Sequence, residues 1–212
     1  MTYNIISSGS KGNAVVINDY ILIDCGVSFK ALQPFYKKLK IVFLTHIHGD
    51  HFNKATIKRL AFERPTLRWA CCGWLIDDLF GCGVRKSNID ILTPGCMNHY
   101  GLFDVEVFTT PHNVPNCGFI FKIDGEKLFY ATDCNSLDHI KCKGADLYMV
   151  EANYREDEIM ERIAEKKTNG EYPYELEVVK NHLSEEKAIA WICDNAGETS
   201  QYILMHKHEV RA

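Results

Sequence analysis

The sequence lacks any apolar run of the roughly 18 to 20 residues that a membrane-spanning helix needs. Its first six residues carry no basic stretch and no long apolar core, so they do not resemble a secretory signal. No internal repeat and no low-complexity tract stands out, and the formal net charge is −4. A membrane protein and a repeat array are therefore disfavoured, and binding to nucleic acid would need a local basic patch.

Cysteine pairs with the C-x-x-C spacing are also absent, although the chain has nine cysteines. An odd number of scattered cysteines in a chain without a signal indicates reduced, mostly buried thiols. We therefore expect a cytoplasmic protein with no membrane partner, and a secreted antibiotic-degrading enzyme is disfavoured. The 212 residues, 46% of them hydrophobic, predict one domain over residues 1–212 with a substantial core.

What the sequence does have is a dense group of metal-binding side chains. Within six positions it places His46, His48, Asp50 and His51. They follow the apolar segment Ile41–Leu44, which predicts a buried strand. A regular strand would point His51 away from the others, but a turn at Gly49 lets all four converge. Imidazole and carboxylate are the ligands of zinc, and of manganese or iron when more oxygens join, so this density indicates a metal site rather than a structural role.

Other predicted strands also end in polar groups. The residues at these ends are Asp24, His112, Asp133 and His206, with His208 two positions further on. Asp24 closes an apolar strand and must be paired. Either it caps the following turn, or it lies behind metal ligands and orients them.

Local patterns predict most of the remaining elements. Hairpin turns are expected at Asn18-Asp19 and Asp124-Gly125. Helices are expected over 29–38, 54–63, 74–80, 156–167 and 185–195, with Asn53 and Ser184 as N-caps of the second and last and a loop around Pro173. Strands that alternate with helices but include hairpins indicate a mixed α/β fold, with two mixed sheets covered by helices.

Two surface features allow more than one interpretation. The small-residue loop Ser8–Asn13 could present backbone N–H groups to a phosphate, or it could be only a tight turn. Lys54 and Lys58 lie one turn apart on the predicted helix 54–63, with Arg59 beside them. They form either a solvated helix face, which is the commoner case, or the wall of a substrate groove.

The H-x-H-x-D-H pattern at 46–51 resembles the signature of the metallo-β-lactamase superfamily, and the likeness extends along the chain. This resemblance implies an αββα sandwich, in which two mixed β-sheets are flanked by helices. It also implies two divalent ions per chain, with zinc preferred and manganese as the alternative. By the same resemblance His46, His48 and His112 hold one ion, Asp50, His51 and His206 hold the second, and Asp133 bridges them. His208 is the alternative to His206.

Three segments resemble the YycJ/WalJ-like branch, a relative of ribonuclease Z. They are the S-G-S-x-G-N loop at 8–13, the segment at 150–154, and the Y-P-x-x-L segment at 172–176 with His182-Leu183-Ser184 after it. In ribonuclease Z the matching glutamate and histidine assist proton transfer, which makes Glu151 and His182 catalytic candidates beside Asp50. Asn113 departs from the branch, which more often has aspartate there, and no inserted arm that grips transfer RNA is evident.

The predicted function is therefore a dinuclear metal-dependent hydrolase, a phosphodiesterase that acts on DNA or RNA. A phosphodiesterase of cyclic nucleotides or other small phosphodiesters is the alternative, motivated by the acidic net charge and the missing arm. Thioester or lactam hydrolysis is a further enzymatic alternative. A non-enzymatic binding module with structural metals is disfavoured, because structural zinc sites are closed and usually rich in cysteine. The sequence is compatible with a homo-oligomer.

Overall fold

The computed structural model describes residues 1–207, so His208 lies outside the described part of the chain. The chain divides into two compact units, Met1–Asn98 and His99–Ala212. Its strands form two six-stranded sheets, each with helices, which confirms the predicted mixed α/β class. Within residues 1–207, no helix combines the length and the apolar character that crossing a membrane requires.

The first sheet contains its six strands in chain order. They are β1 (Tyr3–Ser7), β2 (Ala14–Ile17), β3 (Ile21–Ile23), β4 (Ile41–Leu44), β5 (Arg68–Cys72) and β6 (Ile89–Leu92). Strands β1 to β3 are antiparallel, and β3 to β6 are parallel. At the predicted Asn18-Asp19 turn φ is 47° and 64°, as a two-residue hairpin turn with both central residues left-handed requires.

The helices of the first unit are α1 (Phe29–Leu32), α2 (Lys54–Glu63) and α3 (Ile76–Gly81), with short 3-10 turns at Gly73–Leu75 and Lys86–Asn88. Helix α2 has the predicted bounds. It begins at Lys54 because the Asn53 side chain accepts a hydrogen bond from Thr56 N at 3.0 Å. The prediction of a helix over 29–38 was wrong, since α1 ends at Leu32. Pro34 has no N–H to donate to the preceding turn, so the helix cannot continue through it.

The second sheet also keeps chain order. Its strands are β7 (Met97–His99), β8 (Phe103–Thr110), β9 (Asn116–Ile123), β10 (Glu126–Ala131), β11 (Leu147–Glu151) and β12 (Gln201–Met205). Strands β8 to β10 are antiparallel, and β10 to β12 are parallel. The predicted Asp124-Gly125 turn is present, with φ of 53° and 83°. Strand β7 was not predicted, since three residues are too few to show an alternating pattern.

The helices of the second unit are α4 (Glu156–Thr168), α5 (Glu175–Asn181) and α6 (Glu185–Asn195). The hydroxyl of Ser184 accepts from Lys187 N at 3.2 Å, so α6 begins at its predicted cap. Helix α5 replaces part of the expected loop, because Pro173 precedes the helix and does not interrupt it. Trp191 packs on Phe129 with ring centroids 4.6 Å apart and anchors α6 on the second sheet.

Candidate metal centre

The H-x-H-x-D-H residues lie just beyond β4 and form what we call the first cluster: His46, His48, Asp50 and His51. A turn brings them together, in which His51 N donates to His48 O at 2.9 Å. The ring centroid of His46 lies 4.7 Å from that of His48 and 4.2 Å from that of His51. The turn at Gly49 therefore gathers the side chains as the sequence predicts.

Asp24 lies behind the first cluster and is fully buried. Its Oδ2 accepts from His51 Nδ1 at 2.7 Å, and its Oδ1 accepts from Thr45 N at 2.9 Å. The Thr45 hydroxyl donates to the same carboxylate and can accept from His46 Nδ1 at 3.0 Å. Of the two interpretations of Asp24, the structure supports the one in which it orients the histidines.

The loop Ser8–Asn13 holds the first cluster in place. The side-chain amide of Asn13 lies 2.8 Å from His51 Nε2, and Asn13 N donates to Asp50 O at 2.6 Å. Gly26 packs so closely that an added Cβ would lie 1.6 Å from Asp50 O. The sequence did not predict this contact of Asn13, because an amide in a loop carries no periodic signal.

The second cluster collects five predicted residues of the second unit around the ends of its strands: His112, Asp133, Glu151, His182 and His206. Glu151 is the last residue of β11, Asp133 lies two residues after β10, and His206 follows β12 directly. His182 caps the C-terminus of α5, and its ring centroid lies 5.4 Å from that of His112. The strand ends of the second sheet and the C-terminus of α5 therefore bring these five side chains together.

Glu151 is the fully buried centre of the second cluster. Its Oε1 accepts from His182 Nδ1 at 2.6 Å and lies 3.2 Å from His206 Nδ1. Its Oε2 accepts from Cys134 N at 2.8 Å and Leu183 N at 3.3 Å. Burial alone would raise the pKa of Glu151, but its hydrogen bonds with the two histidines hold that pKa below the ordinary value.

The pKa of His182 is shifted in the opposite direction to that of Glu151. Burial alone would lower its pKa, but the hydrogen bond to Glu151 and the charges of Glu151 and Asp133 raise that pKa above the ordinary value. The predicted pairing of Glu151 with His182 is confirmed as a contact. The carboxylate holds one ring nitrogen and leaves Nε2 as the group that can exchange a proton.

Four of the five histidines predicted as ligands share one tautomer-fixing arrangement. The Nδ1 atoms lie within hydrogen-bond reach of an acceptor in four cases: His46 at Thr45 Oγ1, His51 at Asp24, His112 at Asn181 O (3.0 Å) and His206 at Glu151. A proton on Nδ1 places the lone pair on Nε2, the atom through which metal-bound imidazoles usually bind. On His51 that lone pair faces the Asn13 amide, which a metal ion would displace.

Distances within each unit also suit shared metal ligation. Asp50 Oδ2 lies 3.8 Å from His51 Nε2, and Asp133 Oδ1 lies 3.6 Å from His206 Nε2. Two ligands each about 2.0 to 2.2 Å from one zinc ion lie at most about 4.4 Å apart. The residues therefore fit divalent ions in donor type and spacing.

A further asparagine, Asn153, supports His206. Its side-chain amide donates to His206 O at 3.1 Å. Asp24, Asp133 and His206 also share a left-handed backbone, with φ of 59°, 52° and 53°. This conformation costs a residue other than glycine about 1 to 2 kcal/mol, and such strain concentrates at functional sites.

The beta-lactamase superfamily domain matches the sequence over residues 19–207. The chain belongs to the metallo-β-lactamase superfamily. Its members are metal-dependent hydrolases, so the family predicted from the H-x-H-x-D-H pattern is confirmed.

Solved structures of superfamily members resemble the chain over nearly its whole length. YhfI from Bacillus subtilis is 20% identical with a TM-score of 0.73, and the match covers 99% of this chain and 87% of YhfI. The short form of human tRNase Z is 17% identical with a TM-score of 0.73, over 99% and 93% of the two chains. Zn²⁺-bound PqqB from Methylobacterium extorquens is 12% identical with a TM-score of 0.72, over 98% and 89%.

At these identities the structural likeness shows the fold. The presence of tRNase Z among the relatives agrees with the predicted relation to ribonuclease Z, whereas the YycJ/WalJ-like branch stays a prediction. A search of curated protein sequences found no significant match.

Proposed function

We propose that this chain is a dinuclear metal-dependent phosphodiesterase that acts on nucleic acid. The observation that carries the proposal is the position of His182, whose Nδ1 lies 2.6 Å from Glu151 Oε1 and 3.3 Å from Asp133 Oδ1. An imidazole fixed by a buried carboxylate and placed beside a metal-type ligand is suited to protonate a leaving oxygen. Phosphodiesters with poorly leaving alkoxides need such a proton donor.

The proposed ligand assignment follows the superfamily pattern. In this assignment His46, His48 and His112 would hold one ion, and Asp50, His51 and His206 would hold the other. Asp133 would bridge the two ions. The Nδ1 contacts described above for four of its five histidines support it, because they place the lone pair on Nε2, the usual metal-binding atom. Bound divalent ions, zinc or alternatively manganese, would supply Lewis acidity toward the phosphoryl oxygens and lower the pKa of water to near neutrality.

The chain's own residues would perform the proton transfers. Asp50 would accept a proton from the attacking water, and His182 would donate one to the leaving oxygen. Glu151 would keep His182 oriented and stabilise its protonated form. Asp24 would hold the ring of His51 through Nδ1.

The test is hydrolysis of bis-(p-nitrophenyl) phosphate by the metal-loaded protein, with labelled DNA, RNA and cyclic nucleotides assayed in parallel. We expect metal-dependent turnover that Asp50→Ala abolishes and that Asp77→Ala, which removes an exposed carboxylate on α3, leaves intact. Preference for cyclic nucleotides would favour the small phosphodiester alternative. No turnover on any phosphodiester, with cleavage of a thioester or chromogenic lactam instead, would contradict the proposal.

A further inference from the structure

A groove of about 400 Å³ runs along the first unit between the C-terminal half of α2 and the segment 82–88. We call it the α2 groove. Helix α2 begins at Lys54, three residues after His51, and its ten residues span about 15 Å. The groove is lined by Lys58 and Phe62 and by Pro65 beyond the helix, so it lies toward the end of α2 remote from the first cluster.

The charged side chains that line the α2 groove are all basic. They are Lys58, Arg64 and Arg85, and none of its described lining residues is acidic. Arg64 is committed to the fold, because its guanidinium donates to the backbone oxygens of Tyr36 and Leu39. The groove thus presents a local positive surface on a chain of net charge −4.

Lys58 and Arg85 differ from the cations around them. Among residues 1–207, neither side chain has an ion-pair or hydrogen-bond partner, and both are exposed. By contrast, Lys54 pairs with Asp78 at 3.0 Å. Two uncompensated cations on one groove form a site for anionic groups, since no internal carboxylate competes for them.

Phe62 supplies the third feature of the α2 groove. Its side chain is 86% exposed, the highest value among the large hydrophobic residues of the described chain. Single exposed apolar residues are common, but this ring shares a groove with two unpaired cations. An accessible aromatic face beside a positive groove is the arrangement by which single-stranded nucleic acid is bound without sequence preference.

We propose that the α2 groove binds a single strand of nucleic acid, with Lys58 and Arg85 on its phosphates and Phe62 stacked on a base. A strand in the groove would be held about one helix length from His51. The inference that this strand is a substrate rests on the proposed function. The proposal also identifies the local basic patch that an acidic nuclease needs. For Lys58, a strand in the groove favours the wall of a substrate groove over a solvated helix face.

Binding can be measured by fluorescence anisotropy of a fluorescein-labelled oligo(dT), in an Asp50→Ala background so that the strand is not consumed. We expect Lys58→Ala/Arg85→Ala to weaken binding about 20-fold near 0.1 M salt and to reduce the slope of log K against log salt by about 1.4, or about 0.7 for each lost contact. Phe62→Ala should weaken binding about 10-fold without changing that slope.

The matched control for charge is Lys30→Ala/Lys37→Ala, which removes two exposed lysines of the same unit outside the groove. The exposed Tyr172, on the second unit, gives the control for aromatic loss as Tyr172→Ala. Both controls should bind oligo(dT) as the Asp50→Ala parent does. Equal losses in the control and groove double variants would show only a general charge effect and would overturn the proposal.

Fluorescent poly-glutamate tests a protein partner in place of nucleic acid. Groove-dependent binding of poly-glutamate with no groove-dependent binding of oligo(dT) would overturn the proposal. The proposed function is tested separately by turnover of bis-(p-nitrophenyl) phosphate in the unsubstituted protein. Turnover without groove-dependent strand binding would reject the groove alone, whereas groove-dependent binding without turnover would reject the phosphodiesterase alone.

Discussion

His182 donates through Nδ1 to the fully buried carboxylate of Glu151 across 2.6 Å. This bond fixes the ring and leaves Nε2 as the only ring nitrogen of His182 that could exchange a proton with a substrate. The pair is the feature of this chain that most specifically favours phosphodiester chemistry over the other reactions of its superfamily.

The effect on turnover of replacing His182 by alanine should depend on the leaving group of the substrate. We expect His182→Ala to lower oligonucleotide turnover roughly 10²- to 10⁴-fold, because an alkoxide must be protonated as it leaves. Turnover of bis-(p-nitrophenyl) phosphate should fall much less, since p-nitrophenolate leaves without a proton. His139→Ala removes an exposed histidine of the same unit and should change neither rate. Equal losses on both substrates would show that His182 only maintains structure.

Asp24→Asn should weaken metal binding without unfolding the protein. The new amide N–H₂ would face His51 Nδ1, which also donates, so the ring proton would move to Nε2 and block the ligand lone pair. Affinity should fall about 10- to 100-fold in a chelator competition. Asparagine tolerates the φ of 59° at this position.

The control for that substitution is Asp19→Asn, at a half-exposed turn position whose φ is 64°. It should leave metal affinity unchanged. Unaltered affinity in Asp24→Asn as well would mean that the Asp24 carboxylate does not set the protonation of His51.

Gly26→Ala should destabilise the fold, because the new Cβ would lie 1.6 Å from Asp50 O. Backbone must move to relieve such a contact, at a cost of about 2 to 3 kcal/mol. Urea denaturation should show a lower midpoint. Gly81→Ala in α3, where nothing lies within 4 Å, should change stability by less than about 1 kcal/mol. An unchanged midpoint in Gly26→Ala would contradict the packing of Asp50 against this glycine.

The thiols should divide into two reactivity classes. Of the nine cysteines only Cys96 and Cys193 are exposed, and all are free. Burial and the neighbouring Cys72 raise the pKa of Cys71 to about 12, so its reactive thiolate is scarce at pH 8. An aromatic disulfide reagent should therefore modify two thiols rapidly in the folded protein and all nine in urea. Rapid modification of more than two would contradict the burial.

The sequence predicted the parts of the site that are local. The turn after β4 places four side chains within six positions, so its convergence followed from one glycine and one strand. The contact of Asp24 with His51 was accessible too, because β3 and β4 are parallel neighbours whose ends lie together. Likewise the side chains of Asn53 and Ser184 accept hydrogen bonds from backbone N–H groups three residues further on, which made two helix starts predictable.

What the sequence did not predict depends on contacts between distant segments or on very short elements. Asn13 and Asn153 touch His51 and His206 only after folding, and an amide leaves no periodic trace in the chain. Helix α5 has seven residues, too few for a clear 3.6-residue pattern. The helix predicted over 29–38 ends early, because Pro34 has no N–H to donate to the preceding turn.

The most direct test of the account is the turnover of bis-(p-nitrophenyl) phosphate measured against the number of metal ions bound per chain, counted by native mass spectrometry during zinc or manganese titration. We predict that turnover rises to its maximum as the second ion binds and that a chelator reverses it. Full occupancy by two ions without turnover, or a single ion that a chelator cannot remove, would contradict a dinuclear metal-dependent phosphodiesterase.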